Sequence, residues 1–111
     1  MINLQIELDK NQVLKKIIAK GHGNFSKKGT DIVCSAVSIL LYTTELTLVK
    51  LPEIKTVKSD NKKLFTIYIK KYNIDKIDIL KGVTFFLLNG LNLLKKEFND
   101  KFDLKINNKL F

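Results

Sequence analysis

The chain carries one histidine, His22, and one cysteine, Cys34, twelve residues apart. The stretch around them reads Gly21-His22-Gly23-Asn24-Phe25-Ser26-Lys27-Lys28-Gly29-Thr30-Asp31-Ile32-Val33-Cys34-Ser35-Ala36-Val37-Ser38. A thiolate is a strong nucleophile, and a neutral imidazole beside a thiol can accept its proton. The imidazolium so formed can later protonate a leaving amine. Cysteine and histidine within reach of each other can therefore act as a nucleophile and its base. Two blander roles compete. A lone cysteine among Ile32, Val33, Ala36 and Val37 is commonly a small buried hydrophobe, and a lone histidine beside glycine is often only a loop residue.

The surrounding elements decide whether the pair can meet. A helix is expected from near Asp31, with Thr30 or Asp31 capping its N–H groups. With Asp31 as N-cap, Cys34 is the third helical residue. The first-turn N–H groups and the helix dipole favour negative charge there, which raises the thiolate fraction of a cysteine. His22 lies on the preceding loop, where Gly21, Gly23 and Gly29 permit backbone angles that other residues avoid. Asp31 is the nearest acid able to orient a base, although capping the helix explains it equally well. Ser38, four residues beyond Cys34, shares its face; its alternative role is a hydroxyl bonding back to the helix.

The rest of the chain reads as a scaffold. Ile2, Leu4, Ile6 and Leu8 alternate with Asn3, Gln5 and Glu7, the pattern of a half-buried strand. A turn at Asp9-Lys10-Asn11-Gln12 leads into a second strand from about Val13 to Lys20. The first helix carries Ile32, Val33, Ala36, Val37, Leu40, Leu41 and Leu48 as an apolar stripe, and Leu51-Pro52 ends it. A short strand over Glu53 to Ser59, a turn at Asp60-Asn61-Lys62 and a strand from Leu64 to Lys70 follow. A second helix runs from Ile74 or Asp75 to Phe98, with Ile77, Leu80, Leu87, Leu91, Leu94 and Phe98 on one side. Gly90 inside it costs about 1 kcal/mol relative to alanine, which points to close packing. Phe102, Leu104 and Ile106 alternate in a last strand. The order β-β-α-β-β-α-β predicts an α+β two-layer sandwich, two helices on an antiparallel or mixed sheet, as one domain over residues 1–111.

Composition narrows the classes. With 111 residues and 45% hydrophobic content the chain has material for one core. No signal peptide is recognisable at Met1, and the apolar windows 32–49 and 79–94 are each broken by polar residues. One cysteine allows no internal disulfide, and one His with one Cys makes no zinc cage. Neither a metal nor another cofactor is expected, and the single cysteine suits a reducing, cytoplasmic setting. The net charge of +9 suggests an anionic partner such as ribosomal RNA. Yet all 20 basic residues are lysine, which lacks the bidentate fork of arginine. They are also scattered along the chain.

The run Gly21-His22, Gly29, Asp31-Ile32-Val33-Cys34, Ala36 and Ser38 resembles the signature of the ribosomal-processing cysteine protease (Prp) family. The opening hairpin, the Gly90-Leu91 step and the Glu97-Phe98-Asn99 exit into a terminal strand resemble that family's layout too. The resemblance implies a small cytoplasmic bacterial endopeptidase that removes an N-terminal extension from a large-subunit ribosomal protein. It implies Cys34 as nucleophile, His22 as general base, and supporting roles for Asp31 and Ser38. It further implies an apolar, aromatic-containing extended substrate segment, a homodimer, and a mobile loop containing Gly21, Gly23, Ser26 and Gly29. Three residues depart from the pattern. Gly23 and Ser35 replace alanines, and Ser26 stands where another glycine is common, which bears on how freely the loop opens. The competing reading is a non-catalytic ribosome- or RNA-binding module using the lysine surface. A thiol redox sensor ranks lowest, because the chain offers no resolving cysteine.

Overall fold

The computed structural model describes residues 2–21, 32–60 and 64–108. Its strands are β1 (Ile2–Leu8), β2 (Leu14–Lys20), β3 (Ile54–Asp60), β4 (Leu64–Tyr72) and β5 (Phe102–Asn108). Its helices are α1 (Ile32–Val49) and α2 (Ile77–Glu97). The strands form one five-stranded sheet in the order β3-β4-β2-β1-β5. Only β1 and β5 pair in parallel, so the sheet is mixed. Both helices pack on it, which is the expected α+β arrangement with the expected element order.

Alternation along the strands builds the core. Ile2, Leu4, Ile6 and Leu8 of β1 are buried, as are Phe65, Ile67 and Ile69 of β4. Helix α2 meets them with Leu80, Leu87 and Leu91, three of the residues its spacing singles out. Each such side chain contributes roughly 1.5–3 kcal/mol when fully buried. The first turn of that segment differs from expectation: Ile74–Lys76 is a 3-10 turn, and α-helix begins only at Ile77.

Helix α1 corrects the predicted stripe. Val33, Cys34, Val37, Leu41, Thr44 and Leu48 are buried, whereas Ile32 is 70% exposed. The sequence is apolar all around this helix, and Ile39, Leu46 and Val49 are exposed as well. Periodicity alone therefore does not select its inner face. The buried hydroxyl of Thr44 donates to the Leu40 carbonyl at 2.7 Å, so it carries no unmet polar group inward. By length and composition, α1 and the segment Ile74–Glu97 could each cross a bilayer. In this fold they instead form the layer that covers the sheet.

Strand direction sets the ends of the molecule. β2 and β3 both run opposite to β4, so they run the same way. The short turn over 50–53 sends α1 into β3, so α1 runs against both strands. It therefore begins at the end of the sheet where β2 finishes.

Two polar devices hold the far end. The first lies at the turn between β1 and β2. The Asp9 carboxylate accepts from the Asn11 and Val13 N–H groups at 2.8 and 3.3 Å, and Gln12 takes φ 64°. The Tyr72 hydroxyl donates to the other Asp9 oxygen at 2.8 Å and accepts from the Asn11 amide at 3.0 Å. Partial burial raises the Tyr72 pKa above the usual tyrosine value; the Asn11 amide works against this, while Asp9 adds to it as acceptor and as a negative charge. The second device answers an irregular register, in which Leu8 faces Leu14 while Glu7 faces Lys16. The Leu14 N–H donates instead to the Thr84 hydroxyl of α2 at 2.8 Å, a buried bond between helix and sheet.

Thr84→Val removes that acceptor and leaves the Leu14 N–H unmet in the core. We expect a loss of about 1–3 kcal/mol in urea unfolding, with Thr84→Ser losing less. Tyr72 carries a pH prediction. Its folded pKa is raised, so its contribution to stability is complete below the unfolded value of about 10 and is lost as pH rises through and above it. Between about pH 9 and pH 11 the unmodified protein should lose more stability than Tyr72→Phe. Equal losses would contradict this.

Candidate active site

Cys34 sits in the first turn of α1, which spans Ile32–Val49, and it is buried, with 6% of its surface exposed. The same helix carries Ser38 one turn further on, half-buried. The two lie on one flank, as i, i+4 spacing requires. His22 and Asp31 lie outside the described residues, as do Thr30, Gly23, Ser26 and Gly29. Gly21 is the last described residue before them. It is exposed and takes φ 87°, a left-handed value natural to glycine. It follows β2 directly, so it leaves the sheet at the end where α1 begins. Gly21 therefore lies at the same end of the fold that holds Cys34.

The flank bearing Cys34 continues to residues not singled out in the sequence. Cys34, Ser38, Tyr42 and Glu45 follow one another at steps of four, four and three. The Tyr42 ring meets Phe65 of β4 edge to face, at 5.2 Å between centroids and 85° between planes. Lys58 of β3 lies 3.2 Å from a Glu45 carboxylate oxygen and 6.0 Å from the Tyr42 ring centre. The ion pair is partly solvated, so it adds at most about 1 kcal/mol; its weight is in fixing direction. These contacts turn the Cys34 flank toward the β3–β4 half of the sheet. The signal was present as helical spacing from Cys34, but an apolar helix does not show which flank faces the sheet.

On the other flank, Leu40 packs on Gly90 of α2. A Cβ at position 90 would stand 3.1 Å from both Leu40 methyl carbons, so close packing at this glycine is real. Among the described residues, no group of three or more His, Cys, Asp or Glu side chains is placed to hold a metal ion.

Comparison with known proteins adds to this geometry. The family model for the cysteine protease Prp matches residues 1–103. The crystal structure of SMU.848 from Streptococcus mutans has TM-score 0.80 and 20% identity, covering 98% of this chain and 96% of that one. Two structures of the essential ribosomal processing protease Prp from S. aureus also match. The complex with a covalently linked product peptide has TM-score 0.74 and 22% identity. The complex with a substrate peptide has TM-score 0.73 and 21% identity. Each covers 98% of this chain and 100% of the other. At such identity these structures show the shared fold. A comparison with curated proteins finds no match. The family match spans the motif that contains Cys34 and nearly all of the scaffold around it: this chain belongs to the cysteine protease Prp family and is a cysteine protease.

Proposed function

We propose that this protease is a cytoplasmic endopeptidase of ribosome assembly, which removes an N-terminal extension from a large-subunit ribosomal protein. Cys34 is its nucleophile and His22 its general base. One observation carries the assignment of Cys34. A cysteine protease needs a thiol, and the one cysteine of this sequence lies in the first turn of a helix that starts at the end of the sheet where β2 finishes. The structural relatives from S. aureus, described as ribosomal processing proteases bound to substrate and product peptides, support the substrate class.

In the proposed reaction, the His22 imidazole takes the proton of the Cys34 thiol, and Sγ attacks the scissile carbonyl carbon. Backbone N–H groups of the first turn of α1 offer donors for the developing oxyanion. Collapse forms a thioester and expels the amine, which receives the proton from His22. Water, deprotonated by His22, then hydrolyses the thioester and releases the thiol. Asp31 and Ser38 take supporting positions. The substrate segment is extended, apolar and aromatic-containing. The net charge of +9 is compatible with work close to ribosomal RNA.

The active form is proposed to be a homodimer. Its support is the outer face of the helical layer, where Ile39, Phe86 and Leu93 are each more than 60% exposed. Two open grooves of about 500 and 590 Å³ run between the helices there and share Ile39 and Leu40. No charged residue lines either groove, in a chain of net charge +9. Two such chains can approach through this face without bringing lysines together.

Cys34→Ala and His22→Ala should each abolish cleavage of a synthetic peptide spanning the extension and mature start of the ribosomal protein from the same genome. Circular dichroism should show both variants folded. Wild-type cleavage by either folded variant would overturn the assignment. For the dimer, sedimentation velocity should give twice the chain mass for the unmodified protein and a single-chain mass for Phe86→Lys. A monomeric unmodified protein, or a dimeric Phe86→Lys, would contradict the proposed face.

A further inference from the structure

The helical layer holds an asymmetry between its two described glycines. At Gly82 nothing lies within 4 Å of where a Cβ would stand. At Gly90, on the same helix, a Cβ would meet Leu40 Cδ1 and Cδ2 at 3.1 Å and Cγ at 3.7 Å. Favourable carbon–carbon contacts begin at roughly 3.5 Å, so with a Cβ at position 90 Leu40 would have to give by a few tenths of an ångström. Each glycine weakens α2 as a helix relative to alanine, yet only Gly90 has a packing contact that accounts for it.

Leu40 is six residues beyond Cys34 on one unbroken helix. A shift of α1 at Leu40 is therefore carried to Cys34. The opposite flank cannot absorb it freely, since Tyr42 abuts Phe65 and Glu45 is paired with Lys58. Helix α1 is thus seated between a bare stretch of α2 backbone on one side and two side-chain contacts to β3 and β4 on the other.

We infer that Gly90 is a positioning residue for the reaction: its missing side chain sets the depth at which α1, and Cys34 with it, sits between α2 and the β3–β4 half of the sheet. This rests on Cys34 being the nucleophile. Gly90 touches no reacting atom. It acts through Leu40, and adding one methyl group moves the thiol relative to the rest of the site.

The test compares Gly82→Ala, Gly90→Ala, Leu40→Ala and the double variant Gly90→Ala/Leu40→Ala. Two readouts are taken: the pH profile of Cys34 alkylation by iodoacetamide, and kcat and KM for the peptide. Misplacement by 1 Å can cost about a hundredfold in rate, so a shift of a few tenths of an ångström predicts a fall in kcat of roughly several-fold for Gly90→Ala, with KM little changed. Its alkylation profile should move as well. Gly82→Ala gains the same helix propensity and should keep the wild-type alkylation profile. The double variant, in which the new methyl fills the space left by Leu40, should recover most of both losses. A wild-type profile and kcat in Gly90→Ala, or a double variant as impaired as Gly90→Ala, would overturn the inference. If Gly90→Ala does not fold, Leu40→Ala removes the same contact from the other side, and an unchanged alkylation profile there overturns it equally. Alkylation needs no substrate, so it separates this inference from the nucleophile assignment, which fails if Cys34→Ala still cleaves.

Discussion

Helix α1 is held by contacts of different kinds on its two flanks, and the site depends on both. Toward α2, Leu40 lies on the bare backbone of Gly90, a dispersion contact whose distance is set by an absent side chain. Toward the sheet, Tyr42 meets the edge of Phe65, and Glu45 reaches Lys58. Burial of Val33, Val37, Leu41 and Leu48 between them supplies most of the stabilisation. The flank contacts contribute less energy but determine rotation and depth. A helix that is apolar all round could bury several faces about equally well. These contacts select the one that carries Cys34 at the margin of the core.

The sheet supplies the second constraint. Two of its three interior strands, β4 and β2, are antiparallel, and β3 reverses again at the edge. That alternation sends α1 back against β2 and puts its N-terminus where β2 ends. The segment after Gly21 thus starts at the end of the molecule where the Cys34 turn lies. The polar network of Asp9, Asn11 and Tyr72 closes the far end, with each described side-chain bond serving the turn or tying it to β4. The proposed nucleophile and this polar network thus lie at opposite ends of the strand axis.

Much of the scaffold was legible in the sequence for a simple reason. A strand with one buried face must alternate, and Ile2 to Leu8, Leu64 to Lys70 and Phe102 to Ile106 do so. Helix α2 was equally plain, because its polar and apolar residues segregate. What escaped reading is what tertiary contact decides. Ile32 looked like a core residue, but α1 is rotated so that Cys34 and Thr44 take the inner positions. The irregular register at Leu14, met by Thr84, has no local signal, since its partner lies 70 residues away. The 3-10 turn at Ile74–Lys76 lacks a side-chain cap that would announce a helix start. At the site, the position of Cys34 in the first turn of α1 followed from the onset of the apolar run. The contribution of Tyr42, Glu45 and Lys58 did not, because it needs the flank orientation.

The central claim is that one thiol, seated in the first turn of α1, carries the proteolysis. Graded alkylation tests it most directly. The protein is treated with increasing iodoacetamide, the modified fraction of Cys34 is read by intact mass, and cleavage of the peptide is measured on the same samples. Activity should fall in proportion to the modified fraction and vanish when Cys34 is fully alkylated. Cleavage that persists with Cys34 fully modified would contradict the account.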